Sequence, residues 1–365
     1  MHFTKPDVAI VKILKSFEKN GKHFVEISPN PFYPDGFGGQ IGDRGIIGKA
    51  TVLSVNSEFV EVDRDLEVGL KVEAKADLER RKEIARQHTA QHILSAIVEK
   101  SYGAKTRGFH MSEETTTVDL DSDFSIKEVE NLANEIVMSD IEVEEKIITP
   151  EEAQNYSLRK ALSQKALESG KIRLIKIGDL DLNACGGFHV SRTGEIGMIK
   201  ITHSEKVKGN LTRIWFLAGK RAFKDYSLKE EILLKASKIF DASWKDLEVR
   251  VGKCFEESKM KSSKIKKLSE SLAKYISQEI KHGDIIELDE SVASFVTRFR
   301  QDVAYSIKYS SSTNVVICAP KIPKAEVIKW AKSSGGKGGG KGPIYHFSFE
   351  NFEKFKDDFE KFVNS

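Results

Sequence analysis

Two short stretches, HTAQH at residues 88–92 and CGGFH at 185–189, place the tightest demand on how this chain folds. In a helix, residues four apart lie one above the other, so His88 and His92 converge on one face. Two imidazoles fill half of a tetrahedral shell, and the pair therefore needs further ligands from elsewhere. Cys185 and His189 supply a thiolate and a third imidazole from a turn that its glycines allow to fold tightly. One sulfur and three nitrogens form a borderline-soft set suited to Zn2+. The chain between the two stretches must then fold back so that 185–189 lies against the helix. The alternative is a plain buried cysteine and a surface histidine that never meet the helical pair.

The surrounding pattern supports an inward-facing pair. Over 78–102 apolar residues recur at three and four, and the histidines share their stripe with Ala85 and Ala96. An unpaired imidazole in that position is costly, whereas a ligated one is satisfied. Ahead of the helix, residues 1–75 are rich in alternating Val and Ile and are expected to form a β-barrel-like domain. Within them, NPFYPDGFGGQIGDRG at 30–45 holds five glycines and two prolines, which excludes regular helix or strand. Its glycines either let backbone approach a ligand or merely build turns. After the helix come a strand over 115–121, a helix over 125–140 with Ser125 as N-cap and Glu128 three residues on, a strand over 141–148, a helix around 150–158 and a strand over 171–180.

Bulk properties restrict the setting. A formal net charge of +3 over 365 residues is small, so any phosphate-binding surface must be local. Three cysteines far apart offer no disulfide framework, which favours a reducing cytosol. No run approaches about 18 apolar residues and no signal-peptide core is visible, so the chain is expected to be cytoplasmic, with no membrane partner.

HTAQH followed by CGGFHVSRTGEIG resembles the editing domain of alanyl-tRNA synthetase and the free-standing AlaX editing proteins. FYPDGFGGQIGDRG is similar to their glycine motif, and NLTRIWFLAG to an arginine-bearing strand that ends in Gly. The resemblance runs from about residue 25 to 220. Threonyl-tRNA synthetase editing domains share the metal pattern but not the glycine motif. Two departures bear on substrate preference rather than on ligand identity: Phe188 stands where the family usually has Thr, and Phe37 lengthens the glycine motif.

The resemblance implies hydrolysis of a mischarged tRNA ester, Ser- or Gly-tRNA(Ala), by a domain holding Zn2+ through His88, His92, Cys185 and His189. Spared alanine lacks a hydroxyl, so the pocket needs hydrogen-bonding groups that only the wrong amino acid satisfies. Candidates are Gln40 and Asp43 in the glycine segment, His110, Glu113, Glu114, Thr115 and Thr117 after the helix, Phe188, and Arg213. Gln40 and His110 are also the candidates for a catalytic role beside the metal. Alternation would put Thr115 and Thr117 on one strand face. Two other readings stay open: a tRNA-binding relative whose zinc only staples the fold, and editing of Ser-tRNA(Thr).

Beyond Gly219 the pattern changes. A helix over 227–240 and a longer one after a break near Ala242 and Ser243 suggest an antiparallel hairpin, with Leu247, Val251, Phe255, Ile265, Leu268, Leu272 and Ile276 at near-heptad spacing. Lys259, Lys261, Lys264, Lys266, Lys267 and Lys274 either track a tRNA backbone or are simply solvated. From 284 strand and helix alternate, and Gly335, Gly336, Lys337, Gly338, Gly339, Gly340 and Lys341 can offer backbone N–H groups and two ammonium charges to phosphate. This last part resembles the DHH-associated domain of alanyl-tRNA synthetase, which implies tRNA binding and, with the helices before it, a homodimer. The expected fold class is α+β in four parts: a glycine-motif barrel (1–75), a zinc-containing editing domain (76–220), a helical hairpin (221–282) and a C-terminal α/β domain (283–365).

Overall fold

In the computed structural model, which describes residues 1–162, 164–168, 170–209 and 211–365, the chain divides into two units, Met1–Leu233 and Leu234–Ser365. Six strands open the first: β1 (Val8–Lys19), β2 (Lys22–Ser28), β3 (Gly45–Ile47), β4 (Ala50–Val55), β5 (Val60–Val62) and β6 (Lys71–Ala76). They close into a barrel in the order β1-β2-β5-β4-β3-β6, as the alternation of the first 75 residues implies. Val11, Ile13, Val25, Val52, Val60 and Ala74 fill its interior. Closure leaves no unpaired sheet edge in this part. The glycine segment crosses from β2 to β3 without regular structure apart from one 3-10 turn, Phe37–Gly39.

Helix α1 (Leu78–Tyr102) follows directly. Asp77 caps its start by accepting a hydrogen bond from the Arg80 backbone N–H, and Gly103, at φ 69°, ends it in the left-handed conformation. Every residue from Gln87 to Val98 is buried, because α1 is enclosed on several sides. Around it lie β7 (Thr106–Met111), β8 (Thr116–Leu120), α2 (Ile126–Met138), β9 (Val143–Ile148), the short α3 (Gln164–Glu168), β10 (Ile172–Ile177), β11 (Asp181–Ala184), β12 (Ile199–Val207) and β13 (Leu211–Ala218). They make a four-stranded sheet β12-β13-β8-β7 and a three-stranded sheet β11-β10-β9. Ile84, Ile93, Leu94 and Ile97 of α1 share one core with Val118, Val129, Ile175, Ile214 and Phe216.

Ser125 caps α2 as expected, its hydroxyl accepting from the Glu128 N–H at 3.3 Å. The helix expected around 150–158 is only a 3-10 turn, Glu152–Asn155, and β7, α3, β11 and β12 have no counterpart in the sequence pattern above. TRGFHM has no apolar alternation to announce a strand. Asn210, the first residue of the NLTRIWFLAG motif, lies outside the described residues.

Helix α4 (Gly219–Ile239) begins eight residues before the expected 227, and α5 (Leu247–Glu279) follows. The heptad-spaced Val251, Phe255, Ile265, Leu268 and Leu272 are exposed. On α5 the buried residues are instead Ser269, Ala273 and Ser277, and α5 packs on α6 (Glu290–Phe299). In the second unit β14 (Ile285–Leu288), β15 (Tyr305–Tyr309), β16 (Asn314–Cys318), β17 (Lys337–Gly340) and β18 (Ile344–Ser348) form one sheet in the order β14-β15-β16-β18-β17. Only β14 and β15 pair in parallel, so the sheet is mixed rather than the parallel sheet of a simple α/β domain. Helices α7 (Lys324–Ser333) and α8 (Phe352–Val363) share one core with Val315 and Ile317, while Val316 and Cys318 share the other with residues of α5 and α6. This is the period-2 alternation of a strand covered on both faces.

The glycine run is not a loop. It forms the edge strand β17, and a Cβ at Gly338 would stand 2.1 Å from the His346 carbonyl oxygen. At Gly340 it would stand 2.4 Å from that of Ile344. These two glycines therefore serve close strand pairing first.

Candidate metal centre and the cleft above it

Two turns of α1 bring His88 and His92 side by side, and the segment after β11 brings Cys185 and His189 to them, as the two motifs require. The four potential ligand atoms all lie within 4.8 Å of one another. Cys185 Sγ is 3.4 Å from His88 Nε2 and 3.2 Å from His189 Nε2. A sulfur at about 2.3 Å and a nitrogen at about 2.0 Å from a tetrahedral zinc stand roughly 3.5 Å apart, so the spacing fits.

The outer nitrogens complete the argument. Each imidazole has its Nδ1 tied to a different oxygen: His88 to Gln40 Oε1 at 2.9 Å, His92 to Asp181 Oδ2 at 2.7 Å, and His189 to Thr89 Oγ1 at 3.1 Å. Thr89 donates its own proton to the Ala85 carbonyl, so toward His189 its oxygen can only accept. Every ring is thereby held with Nδ1–H outward and the Nε2 lone pair inward, the arrangement a metal requires.

Electrostatics agree with this donor set. Burial would raise the Cys185 thiol, yet the His88 and His189 rings hold it well below its ordinary range, toward thiolate. Burial pushes His189 down to about 3, which keeps it neutral. On His92 burial acts in the same direction, but Asp181 and Cys185 outweigh it and raise the ring to about 9.

Space is made by glycine. A Cβ at Gly187 would lie 2.1 Å from His88 Cε1 and 2.6 Å from Gln40 Oε1. At Gly39, which sits at φ 79°, it would lie 2.6 Å from the Phe109 ring. Over the cluster opens a cleft of about 360 Å³, lined by Gly38, Gly39, His88, Gln91, His92, Thr106, Phe109, Arg159, Asn183 and Cys185 among others. Phe109 stacks on His88 at 5.2 Å. Among the described residues, buried Thr106 Oγ1 and Gln40 Nε2 have no hydrogen-bond partner.

Several candidate residues lie elsewhere. Asp43 is buried in an ion pair with Arg81, 2.7 Å away, and does not line the cleft. Glu113 pairs with Arg80 at the surface. Glu114 and Thr115 occupy the turn before β8, and Thr117 donates to the His110 carbonyl oxygen at 3.4 Å, so Thr115 and Thr117 are not one strand face. His110 is exposed, one residue beyond Phe109 on β7 and so on the opposite face. Arg213 forms two hydrogen bonds to Asp119, at 2.7 and 2.9 Å. Phe188 is fully buried behind the cluster, against Phe3, Tyr33 and the Arg81 guanidinium. In the second unit Lys337 pairs with Glu350.

Thr89, Asp181, Arg159, Thr106 and Phe109 escaped the sequence reading. Only Thr89 had a local signal, lying directly beside His88 in the motif.

Residues 172–214 match the family described as the threonyl and alanyl tRNA synthetase second additional domain. The chain is 32% identical to the alanine–tRNA ligase of Methanobrevibacter smithii over 372 residues, 90% of this chain and 41% of that protein. With the alanine–tRNA ligase of Methanococcus aeolicus it shares 33% over 287 residues, 74% of this chain and 31% of the relative. It is 35% identical to the alanyl-tRNA editing protein AlaX-L of Pyrococcus horikoshii over 232 residues, 59% of this chain and 55% of that protein. Of these relatives' own length it therefore spans 31% to 55%. Among the described residues no helix is long and apolar enough to cross a membrane.

Proposed function

We propose that this chain, an alanyl-tRNA editing-related protein by its likeness to those relatives, is an aminoacyl-tRNA deacylase that acts in trans in the cytoplasm on Ser- or Gly-tRNA(Ala). The observation that carries the reading is the open cleft above a four-ligand cluster whose imidazoles all present Nε2 inward. The weight lies on the cleft, since concave sites with a few convergent polar groups are where ligands bind.

His88, His92, Cys185 and His189 would hold Zn2+. Bound there, the ion supplies a Lewis acid that can polarise water or anchor the substrate's amino group or 3′ end. The protein's own groups do the selecting. Thr106 is among the residues lining the cleft, and among the described residues neither its buried hydroxyl nor the buried Gln40 amide nitrogen has a partner. A substrate hydroxyl that satisfies such a group gains what alanine cannot, and discrimination of about 10⁴-fold is within reach of this principle. Gly39 and Phe109 form the apolar wall beside His88. The ester bond is cleaved by water, leaving free amino acid and tRNA with an intact 3′ hydroxyl.

The second unit, which we read as a DHH-associated domain, would hold the tRNA body through Gly335–341, Lys337 and Lys341, and a homodimer would form through the exposed apolar face of α5. One observation favours a second reading, a tRNA-binding relative with a structural zinc: four protein donors are enough to fill a tetrahedral shell. Deacylation of Ser-, Gly- and Ala-tRNA(Ala) by the purified protein, with and without chelator, separates the two. Chelator-sensitive cleavage of Ser- or Gly-tRNA with Ala-tRNA spared supports editing. Cleavage of all three alike removes proofreading, and cleavage of none favours the binding protein. If Ser-tRNA(Thr) is the better substrate, threonyl-type editing replaces the alanyl assignment.

A further inference from the structure

We infer that Asp181, clamped by Arg159, is the positioning group that sets the direction and donor strength of His92 toward the metal. The inference rests on the metal reading of the four-ligand cluster. The three imidazoles are anchored by unlike groups: an amide oxygen for His88, a hydroxyl for His189, and a carboxylate for His92 alone. That carboxylate is sealed from water, the side chains of His92 and Asp181 being 3% and 0% exposed. In such surroundings a charged acceptor at 2.7 Å holds its proton donor far more firmly than a neutral oxygen does.

Both carboxylate oxygens of Asp181 are engaged. Oδ2 accepts from His92 Nδ1, and Oδ1 accepts from Arg159 Nε at 2.6 Å. The carboxylate therefore cannot turn without breaking one of the two bonds. Arg159 is fixed in turn, its backbone N–H donating to the Leu182 carbonyl oxygen at 2.9 Å. Arg159 is also among the residues that line the cleft above the cluster. Asp181 opens β11 and Cys185 follows directly on that strand's last residue, so one short segment carries both a candidate ligand and the support of another. Removing such outer support typically lowers metal affinity about 10- to 100-fold.

The test compares the wild-type chain with Asp181→Asn, Arg159→Met and Arg159→Lys. Metal affinity is read by chelator competition, and the ligand field by the absorption of the Co2+-loaded protein. Asp181→Asn should bind metal about 10- to 100-fold more weakly and shift the Co2+ bands. Arg159→Met should weaken binding less, and Arg159→Lys should restore part of the loss. A folded Asp181→Asn variant with wild-type affinity and an unchanged Co2+ spectrum overturns the inference. Should Asp181→Asn fail to fold, the arginine variants decide: Arg159→Met weaker than Arg159→Lys supports it, and wild-type affinity in both overturns it. None of these readouts uses ester cleavage, so a protein that binds Co2+ normally but deacylates nothing refutes the proposed reaction alone.

Discussion

Arg81 Nε donates to Asp43 Oδ1 at 3.0 Å and Arg81 Nη2 to Asp43 Oδ2 at 2.7 Å, with neither side chain exposed to solvent. The same guanidinium donates to the carbonyls of Lys5, Pro6 and Pro31, and Asp43 accepts from the Tyr33 N–H. One pair thus ties the amino-terminal segment and the glycine segment to the first turn of α1.

Losing half of this pair strands a buried charge. Arg81→Met is expected to cost about 3–5 kcal/mol of unfolding free energy, the usual loss when one partner of a buried ion pair is removed. Chemical denaturation reads it directly, and a loss under about 1 kcal/mol would show that the pair is dispensable.

At Gly187 the added methyl of Gly187→Ala would overlap both His88 and Gln40. His88 must then turn away from Cys185. We expect metal content, measured by elemental analysis of the purified protein, to fall well below one ion per chain while circular dichroism stays near wild type. Full metal loading in this variant would contradict the geometry.

Phe188 fills space behind the ligands rather than facing the substrate. Phe188→Ala should therefore lower stability by about 3–5 kcal/mol, the range for emptying a core aromatic site. The ratio of rates on Ser- and Gly-tRNA should stay unchanged. A shifted ratio with unaltered stability would put the ring in the pocket after all.

Asp35 gives the glycine segment an acid limit. Burial opposes its ionisation, but the Val55 and Gly42 N–H groups, at 2.9 and 2.8 Å, and Arg44 outweigh that and hold it below the usual carboxylate range. A depressed pKa means that its contribution is complete above the unfolded value of about 3.9 and is lost as pH falls through the lower folded value. Stability measured against pH should drop less steeply on the acid side in Asp35→Asn. Identical acid limbs for the two proteins would refute this.

The barrel and the meeting of four side chains were legible because each rests on a local rule: alternation for strands, and fixed spacing for His88 with His92 and for Cys185 with His189. The enclosure of α1 was not. The apolar stripe gives no reason to bury the polar Gln87, Thr89 and Gln91, yet all are buried, and each hydrogen-bonds to a backbone carbonyl or a nearby side chain. Their partners are Ala218 on β13 for Gln87, and Ala85 and Ser95 one turn before and one turn after for Thr89 and Gln91, which a one-dimensional pattern does not display. Asp181 was hidden for the same reason, since nothing in GDLDLNAC distinguishes the buried aspartate from exposed Asp179. Glycine in the second unit has a role that composition does not display: Gly338 and Gly340 let β17 approach β18.

The uninterrupted burial of α1 between Gln87 and Val98 also bears on how this protein can change over evolutionary time. A helix with an outward face absorbs neutral drift along that face, but here no such face exists, and lengthening the helix by one residue would swing every later side chain by about 100° into an already filled neighbour. Variation among descendants should accordingly gather at Glu79, Lys82 and Lys100, where the helix emerges. His88 and His92 would be handed down as part of an almost immutable axle.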